Sequence, residues 1–455
     1  MSFFHACTKA FRSSSQFLLF FRNQSALKQL ALTGAMWTFG GYAASQMLRL
    51  GGNLILTRLL FPEAFGLMAI VQVWMVGLQM FSDIGIVPAI IQSRRGEETE
   101  FLNTAWTIQV FRGGALWICS ILLAWPVATL YHEPMLTLLL PVVGLNAFIN
   151  GFNSTKLATV NRNLLFGRLV MIETGSYAFG LLVMILWALQ VSTVWALVGG
   201  GLVASLAKMA ASHIVLDGPS NKFQFDKKAF HDLRKFGNWI FISTIITFLS
   251  GQGDRLLIGY ILDVRFLAFY TLALSMSMLF SDALRAVGGK VLFPVYAQVL
   301  RENPQKFYAI LRKSRLLQIL LSWIISFIFI IFGKQLMALL YDSRYADSGW
   351  ILQILAIGQL VHVLESSNVG VMMASGKTRT MTVLLAFQSI IQIISLLLGY
   401  HFFEQRGMVY GIMFSKMLFY PVNAYIFHKY SLWQPEIDLP FLAIFLVVLL
   451  SFLIV

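Results

Sequence analysis

The sequence predicts an all-α polytopic membrane protein organised as two six-helix bundles plus at least one further C-terminal helix. Three observations carry the prediction. Of 455 residues, 58% are hydrophobic and only 12% are charged, against roughly 45–50% and 25% in ordinary soluble domains. Mean hydropathy is +0.74. That composition cannot coat a soluble surface, which excludes a soluble enzyme and a nucleic-acid-binding domain. The apolar residues also gather into thirteen runs, most near the ~20 residues a membrane helix needs. Finally, the basic residues alternate between successive connections, as the positive-inside bias requires.

The runs are 33–58, 64–82, 104–130, 135–155, 166–189, 193–215, 237–262, 266–284, 316–341, 350–374, 380–402, 407–428 and 439–455. Residues 1–32 precede them as a cytoplasmic tail. A short apolar patch, Phe17–Phe21, lies there between Arg12 and Arg22. It is too short to span and has no cleavage site after it, so a tail on the membrane surface is expected, not a signal peptide. Residues 33–215 form the first bundle, the basic stretch 216–236 a cytoplasmic linker, 237–428 the second bundle, and 429–455 a linker with the thirteenth segment.

Alternate connections beginning with the tail hold 24 Lys and Arg residues, and the opposite set holds only Arg58, Arg265, Arg344 and Arg406. The N-terminus is therefore expected in the cytoplasm. The formal net charge of +14 reads first as this loop bias. The two cysteines, Cys7 and Cys119, fall in no CxxC or Cys/His cluster, so neither a disulfide framework nor a metal site is expected.

Sliding the chain by 202 positions superposes Trp37 on Trp239, Phe39 on Phe241, Gly51 on Gly253, Leu54 on Leu256 and Leu60 on Leu262. Both copies start on the cytoplasmic side, which implies a parallel repeat about an axis along the membrane normal.

Charged side chains at membrane depth cost at least about 2.5–3.5 kcal/mol each on insertion scales, so they mark candidate sites. The basic ones are Arg49, Arg112, Lys208, Arg255, Lys334 and Lys416; the acidic ones are Glu173, Asp254, Asp282 and Glu365. Lys334 reads as a snorkelling helix-end residue and Asp282/Arg285 as a helix-end pair. Gln46, Arg49 and Asn53 stack at i, i+3 and i+7 as one polar stripe, and the repeat places Asn53 opposite Arg255. If the two faces look at each other, Gln46, Arg49, Asn53, Arg112, Lys208, Arg255 and Lys416 line a cation-rich central cavity. The competing reading is ordinary buried hydrogen bonding between helices. Such a cavity suits an anion, above all phosphate, which the guanidinium fork binds bidentately. Glu173, Asp254 and Glu365 are the candidates for binding H⁺ or Na⁺. His362 and Glu365, at i and i+3, read as polar packing or a proton-handling pair.

Several stretches then show a family resemblance. The first runs from Gly34 to Ile70, GAMWTFGGYAASQMLRLGGNLILTRLLFPEAFGLMAI, followed by SDIGIVPAIIQ at Ser82–Gln92. RLVMIET at Arg168–Thr174, WALVGGGLV at Trp195–Val203 and GDRLLIGYIL at Gly253–Leu262 come next. KVLFPVYAQV at Lys290–Val299, ILQILAIGQL at Ile351–Leu360 and MASGKTR at Met373–Arg379 complete the set. In this order they resemble the polysaccharide (lipid-linked oligosaccharide) flippases of the multidrug/oligosaccharidyl-lipid/polysaccharide exporter superfamily.

The resemblance implies two six-helix bundles around a central cavity with alternating access. It implies a polyprenyl-pyrophosphate-linked oligosaccharide as cargo, moved from the cytoplasmic to the outer leaflet of a bacterial inner membrane. The partners expected with it are that lipid, the bilayer, a polysaccharide polymerase and a chain-length regulator, with no nucleic acid and no cofactor beyond a coupling H⁺ or Na⁺. The sequence departs from the family's paired-glycine LGxxxLGxY pattern, reading Leu262-Asp263 and Leu267-Ala268-Phe269-Tyr270. Members often carry fourteen spans; the thirteenth here runs to Val455. Two rival classes are a cationic-drug exporter on the same fold, which would want acidic cavity residues, and a membrane glycan polymerase or ligase, which would want a large outer loop. A lipid-scrambling or structural membrane protein is a further alternative.

Overall fold

In the computed structural model, the described residues are 26–163, 165–237, 240–287, 292–302 and 304–454. The tail patch Phe17–Phe21, Cys7 and Lys290 lie outside them. The described chain is helical throughout, in the order α1 (Ala26–Leu59), α2 (Pro62–Phe81), α3 (Ile86–Gln92), α4 (Thr99–Leu130), α5 (Leu136–Gly151), α6 (Lys156–Arg162), α7 (Phe166–Gln190) and α8 (Val194–Ile214). The order continues with α9 (Lys227–Gly237), α10 (Ile240–Ile261), α11 (Val264–Val287), α12 (Phe293–Glu302), α13 (Pro304–Leu340), α14 (Ser348–Ser366), α15 (Val369–Ala374), α16 (Thr378–Lys429) and α17 (Pro435–Ile454).

Among the described residues, nine helical stretches are long and apolar enough to cross a membrane. The longest, Arg379–Lys429, breaks where Phe403 (φ −137°) and Glu404 (φ 50°) leave helical geometry, giving two arms. The arms approach at Gly399 and Gly407, where a Cβ on either glycine would overlap the other's backbone carbonyl. The thirteen expected runs correspond to these stretches, with both arms counted, together with α1, α5 and α10.

Three boundaries differ from the hydropathy reading. α1 already includes Ala26, well before residue 33, and Ala26, Leu27, Lys28, Gln29 and Leu30 are all strong helix formers. The run 135–155 ends as a helix at Gly151 and resumes as α6 at an angle of 61°. The linker 216–236 contains α9, whose N-terminus Asp226 caps by accepting the backbone N–H groups of Lys228 and Ala229 at 3.2 and 3.1 Å. Apolar Ala229 and Leu233 of α9 are buried against Ile86, Ile90, Phe101 and Leu102, so the linker is fastened to the first half.

The packing order repeats between halves. In the first half α1 lies along α7, α4 along α5, and α5 along α8. In the second, α10 lies along α16, α13 along α14, and α14 along α16. Helices α2 and α11, which the repeat would make equivalent, pack on each other across the middle. The pattern agrees with a parallel twofold repeat. At this crossing a Cβ on Gly66 would strike the carbonyl of Val264, so the close approach depends on glycine. Asp263, standing where the family has glycine, caps α11 by accepting the Phe266 N–H at 2.6 Å.

Candidate functional site

The polar interior falls into two groups, one in each half. In the first half a cavity of about 600 Å³ opens between α2–α8. Arg112 on α4 and Glu173 and Lys208 on the adjacent α7 and α8 line it. The Arg112 guanidinium donates to Ser82 Oγ at 3.0 Å and to the Gln79 carbonyl at 2.8 Å, at the negative end of the α2 dipole. Lys208 Nζ donates to Glu173 at 3.2 Å. Three sequence candidates thus share one cavity. Sequence reasoning missed its amides, Gln79, Gln109, Asn150, Asn153 and Asn161. The signal was present as three asparagines within LNAFINGFN, a polar density unusual for an apolar run.

In the second half, Asp254 on α10 is buried and accepts a hydrogen bond from the Tyr270 hydroxyl of α11. Its neighbour Arg255 turns away and donates to Gln252 Oε1 at 2.7 Å. Glu365 on α14 is 4% exposed, and neither of its carboxylate oxygens has a hydrogen-bond partner among the described residues. His362 Nδ1 lies 3.6 Å from Glu365. Lys416, from the second arm of α16, feels the opposite charges of Glu365 and Asp254 and the like charge of Arg285. Two of the three acidic candidates therefore gather around Lys416, while Glu173 belongs to the other half. Among the described residues no group of three His, Cys, Asp or Glu side chains is arranged to hold a metal ion.

The α1 stripe is placed as follows. Gln46 donates to the Tyr42 hydroxyl at 3.3 Å, and the Asn53 carbonyl accepts from Thr57 at 2.8 Å. Arg49 is exposed, its guanidinium 5.9 Å from the Tyr177 ring centre on α7. Arg49 and Arg255 are not among the side chains lining the first-half cavity. Asp282 and Arg285 do pair, at 3.7 Å, and Lys334 is exposed near the end of α13. A further buried pair escaped notice in the sequence. Arg315, fully buried, meets Asp438 of α17 at 2.8 Å.

Among the described residues, nine helical stretches able to cross a membrane, a packing order that repeats between the halves and charged groups inside each half define a polytopic membrane fold. The solved structures say the same of the fold. An inward-facing multidrug-resistance MATE transporter of the MOP superfamily superposes with a TM-score of 0.67 at 15% identity, covering 85% of this chain and 94% of that one. The lipid II flippase MurJ, in an inward closed conformation, does so with a TM-score of 0.67 at 13% identity, covering 92% and 93%. The family model described as polysaccharide biosynthesis protein matches residues 55–349, and the chain belongs to that family. It is 21% identical over 446 residues to the lipopolysaccharide biosynthesis protein WzxC of Escherichia coli (strain K12), covering 92% of this chain and 87% of that protein. It is also 21% identical over 305 residues to the succinoglycan biosynthesis transport protein ExoT of Rhizobium meliloti (strain 1021), where the match covers 67% of this chain and 61% of that protein.

Proposed function

We propose that this protein flips a polyprenyl-pyrophosphate-linked oligosaccharide from the cytoplasmic to the outer leaflet of a bacterial inner membrane, for surface polysaccharide biosynthesis. The observation that carries the reading is membership of a polysaccharide biosynthesis family on a fold shared with a lipid flippase. The 24-to-4 distribution of basic residues supports a cytoplasmic N-terminus.

The physical problem is carrying a hydrated dianion through hydrocarbon. Arg49, Arg255 and Lys416, with Gln46 and Asn53 beside them, replace the water of the pyrophosphate as it passes between the halves. Each negative charge moved outward across an inside-negative potential releases about 2.3 kcal/mol per 100 mV, so the potential assists and desolvation sets the barrier. The buried carboxylate of Glu365, which accepts no hydrogen bond among the described residues, supplies with Asp254 and Lys416 an H⁺ or Na⁺ site whose occupancy differs between inward- and outward-open states. The reset of the empty carrier draws on it. A polymerase and a chain-length regulator then act on the delivered lipid.

The test is complementation of a strain deleted for this gene, with surface glycan and cytoplasmic-leaflet lipid-linked oligosaccharide as readouts. Wild type restores glycan. Arg49→Ala/Arg255→Ala, at matched membrane level, leaves the lipid intermediate inside, and Lys at both positions restores export only in part because the bidentate fork is lost. Normal surface glycan in the deletion strain itself sinks the reading; normal export by the double alanine variant shows that these arginines do not handle the phosphate.

A further inference from the structure

The first-half cavity was expected to serve the pyrophosphate, because Arg112 and Lys208 line it. Its charges say otherwise. The titratable side chains on its wall are Arg112, Lys208, Asp83 and Glu173, two cations against two carboxylates. Lys208 is held by Glu173 at 3.2 Å, and Asp83 lies within electrostatic reach of Arg112, which already directs two of its five N–H groups to Ser82 and the Gln79 carbonyl. A dianion entering would have to break these pairs and face both carboxylates.

The remaining polar wall is neutral and oriented. Gln109 Nε2 donates to the carbonyls of Asn150, Gly151 and Asn153 at 3.2, 3.1 and 3.1 Å. Asn153 Nδ2 donates to Asn150 Oδ1 at 3.0 Å. That arrangement fixes the Asn153 amide with its oxygen unpaired. Asn153 is 9% exposed, and its Oδ1 is buried with no hydrogen-bond partner among the described residues. A buried carbonyl oxygen left unpaired costs about 1–3 kcal/mol, and a ligand hydroxyl relieves it. The wall also carries aliphatic side chains, Ile86, Val87, Pro88 and Leu169 among them, which suit C–H groups. The volume of about 600 Å³ falls inside the ~300–1,000 Å³ of small-molecule sites.

We infer that this cavity is a sugar subsite: it takes a neutral, hydroxyl-rich portion of the glycan headgroup, which donates to Asn153 Oδ1, while the pyrophosphate stays outside it. The inference rests on the flippase reading for the cargo, but the sugar chemistry is read from the cavity alone.

The test uses the full chain in phosphatidylcholine nanodiscs with two probes. Methyl glucoside, methyl galactoside and methyl N-acetylglucosaminide are followed by saturation-transfer NMR, and sodium pyrophosphate by its phosphorus linewidth. At least one glycoside receives saturation. Asn153→Leu, and independently the half-buried rim variant Asn161→Ala, lower it by about five-fold, the worth of one neutral hydrogen bond, and leave the pyrophosphate linewidth as in wild type. Glu173→Gln, which leaves the cavity one cation in excess, broadens the pyrophosphate line. No saturation of any glycoside, saturation unchanged in both asparagine variants, or displacement of glycoside by pyrophosphate overturns the inference. Glycoside binding by a chain that does not restore export in the deletion strain sinks the flippase reading and leaves the sugar subsite standing. Export that persists in both asparagine variants after glycoside binding is lost sinks the subsite alone.

Discussion

Replacing Arg315 with Met should unfasten α17 from the rest of the protein. Arg315 is fully buried on α13 and donates to Ser367 Oγ, Gln434 Oε1, the Leu364 carbonyl and Asp438 Oδ1 at 3.1, 3.2, 3.1 and 2.8 Å. Asp438 in turn accepts from the Tyr420 hydroxyl at 3.0 Å. One guanidinium thus joins α13, the end of α14, the second arm of α16 and the start of α17. Met fills much of the volume but leaves Asp438 as a buried carboxylate with only the Tyr420 hydroxyl and the Trp433 indole beside it among the described residues. Breaking a buried pair from one side costs about 3–5 kcal/mol. With an unfolding entropy of ~2.1 cal/mol/K per residue, a chain this long loses on the order of 3–5 °C in Tm. Removing both charges, Arg315→Met/Asp438→Leu, should recover most of that loss, because apolar replacements of buried pairs are often neutral. Thermal unfolding of the purified protein in a neutral detergent, read by tryptophan fluorescence, measures both variants. A single variant within about 1 kcal/mol of wild type, or a double variant as unstable as the single, would refute the reasoning.

Glu365→Gln and Asp254→Asn should each alter the dependence of export on the H⁺ or Na⁺ gradient while protein level holds, measured in energised inverted vesicles; unchanged ion dependence in both removes the coupling role. Asp226 caps α9, and its carboxyl is held below its ordinary value of 3.8 by the Ala229 and Lys228 N–H groups and Arg95. A depressed carboxyl stabilises the cap above the unfolded pKa, and the contribution is lost as pH falls below about 4. The protection factors of the 227–233 amides, taken against the intrinsic exchange rate at each pH, should therefore fall several-fold in acid to those of Asp226→Ala; pH-independent protection factors there speak against the cap. Gly66→Val should prevent α2 and α11 from closing, because even a Cβ strikes the Val264 carbonyl, and native-like thermal stability of that variant would contradict the observed crossing. Asp263→Ala should cost about 1 kcal/mol through loss of the α11 cap, whereas Asp263→Asn should be nearly neutral.

Much of the architecture was present in the sequence. Burial in lipid demands long apolar helices, so composition and the thirteen runs were enough for the class. The alternation of Lys and Arg and the family stretches from Gly34 to Arg379 pointed to the polysaccharide biosynthesis family whose model the chain matches. Asp282/Arg285 was readable because partners at i and i+3 share a helix face. Ionisable residues at membrane depth were also readable as exceptions, since each costs free energy to keep there.

Which exceptions meet was decided only by tertiary structure. Glu173, Asp254 and Glu365 looked equivalent along the chain, yet the fold gave Glu173 a lysine in the first half and left Glu365 without a hydrogen bond in the second. Arg315 read as one more cytoplasmic basic residue; packing buried it against Asp438, 123 positions away. Arg112 and Lys208 stood alone along the chain; packing set Glu173 3.2 Å from Lys208 and brought the Arg112 guanidinium to Ser82 and the Gln79 carbonyl. Local sequence determines helix, burial period and side of the membrane, because those depend on a residue and its near neighbours. Net charge of a cavity and satisfaction of a buried polar atom depend on groups brought together from distant helices.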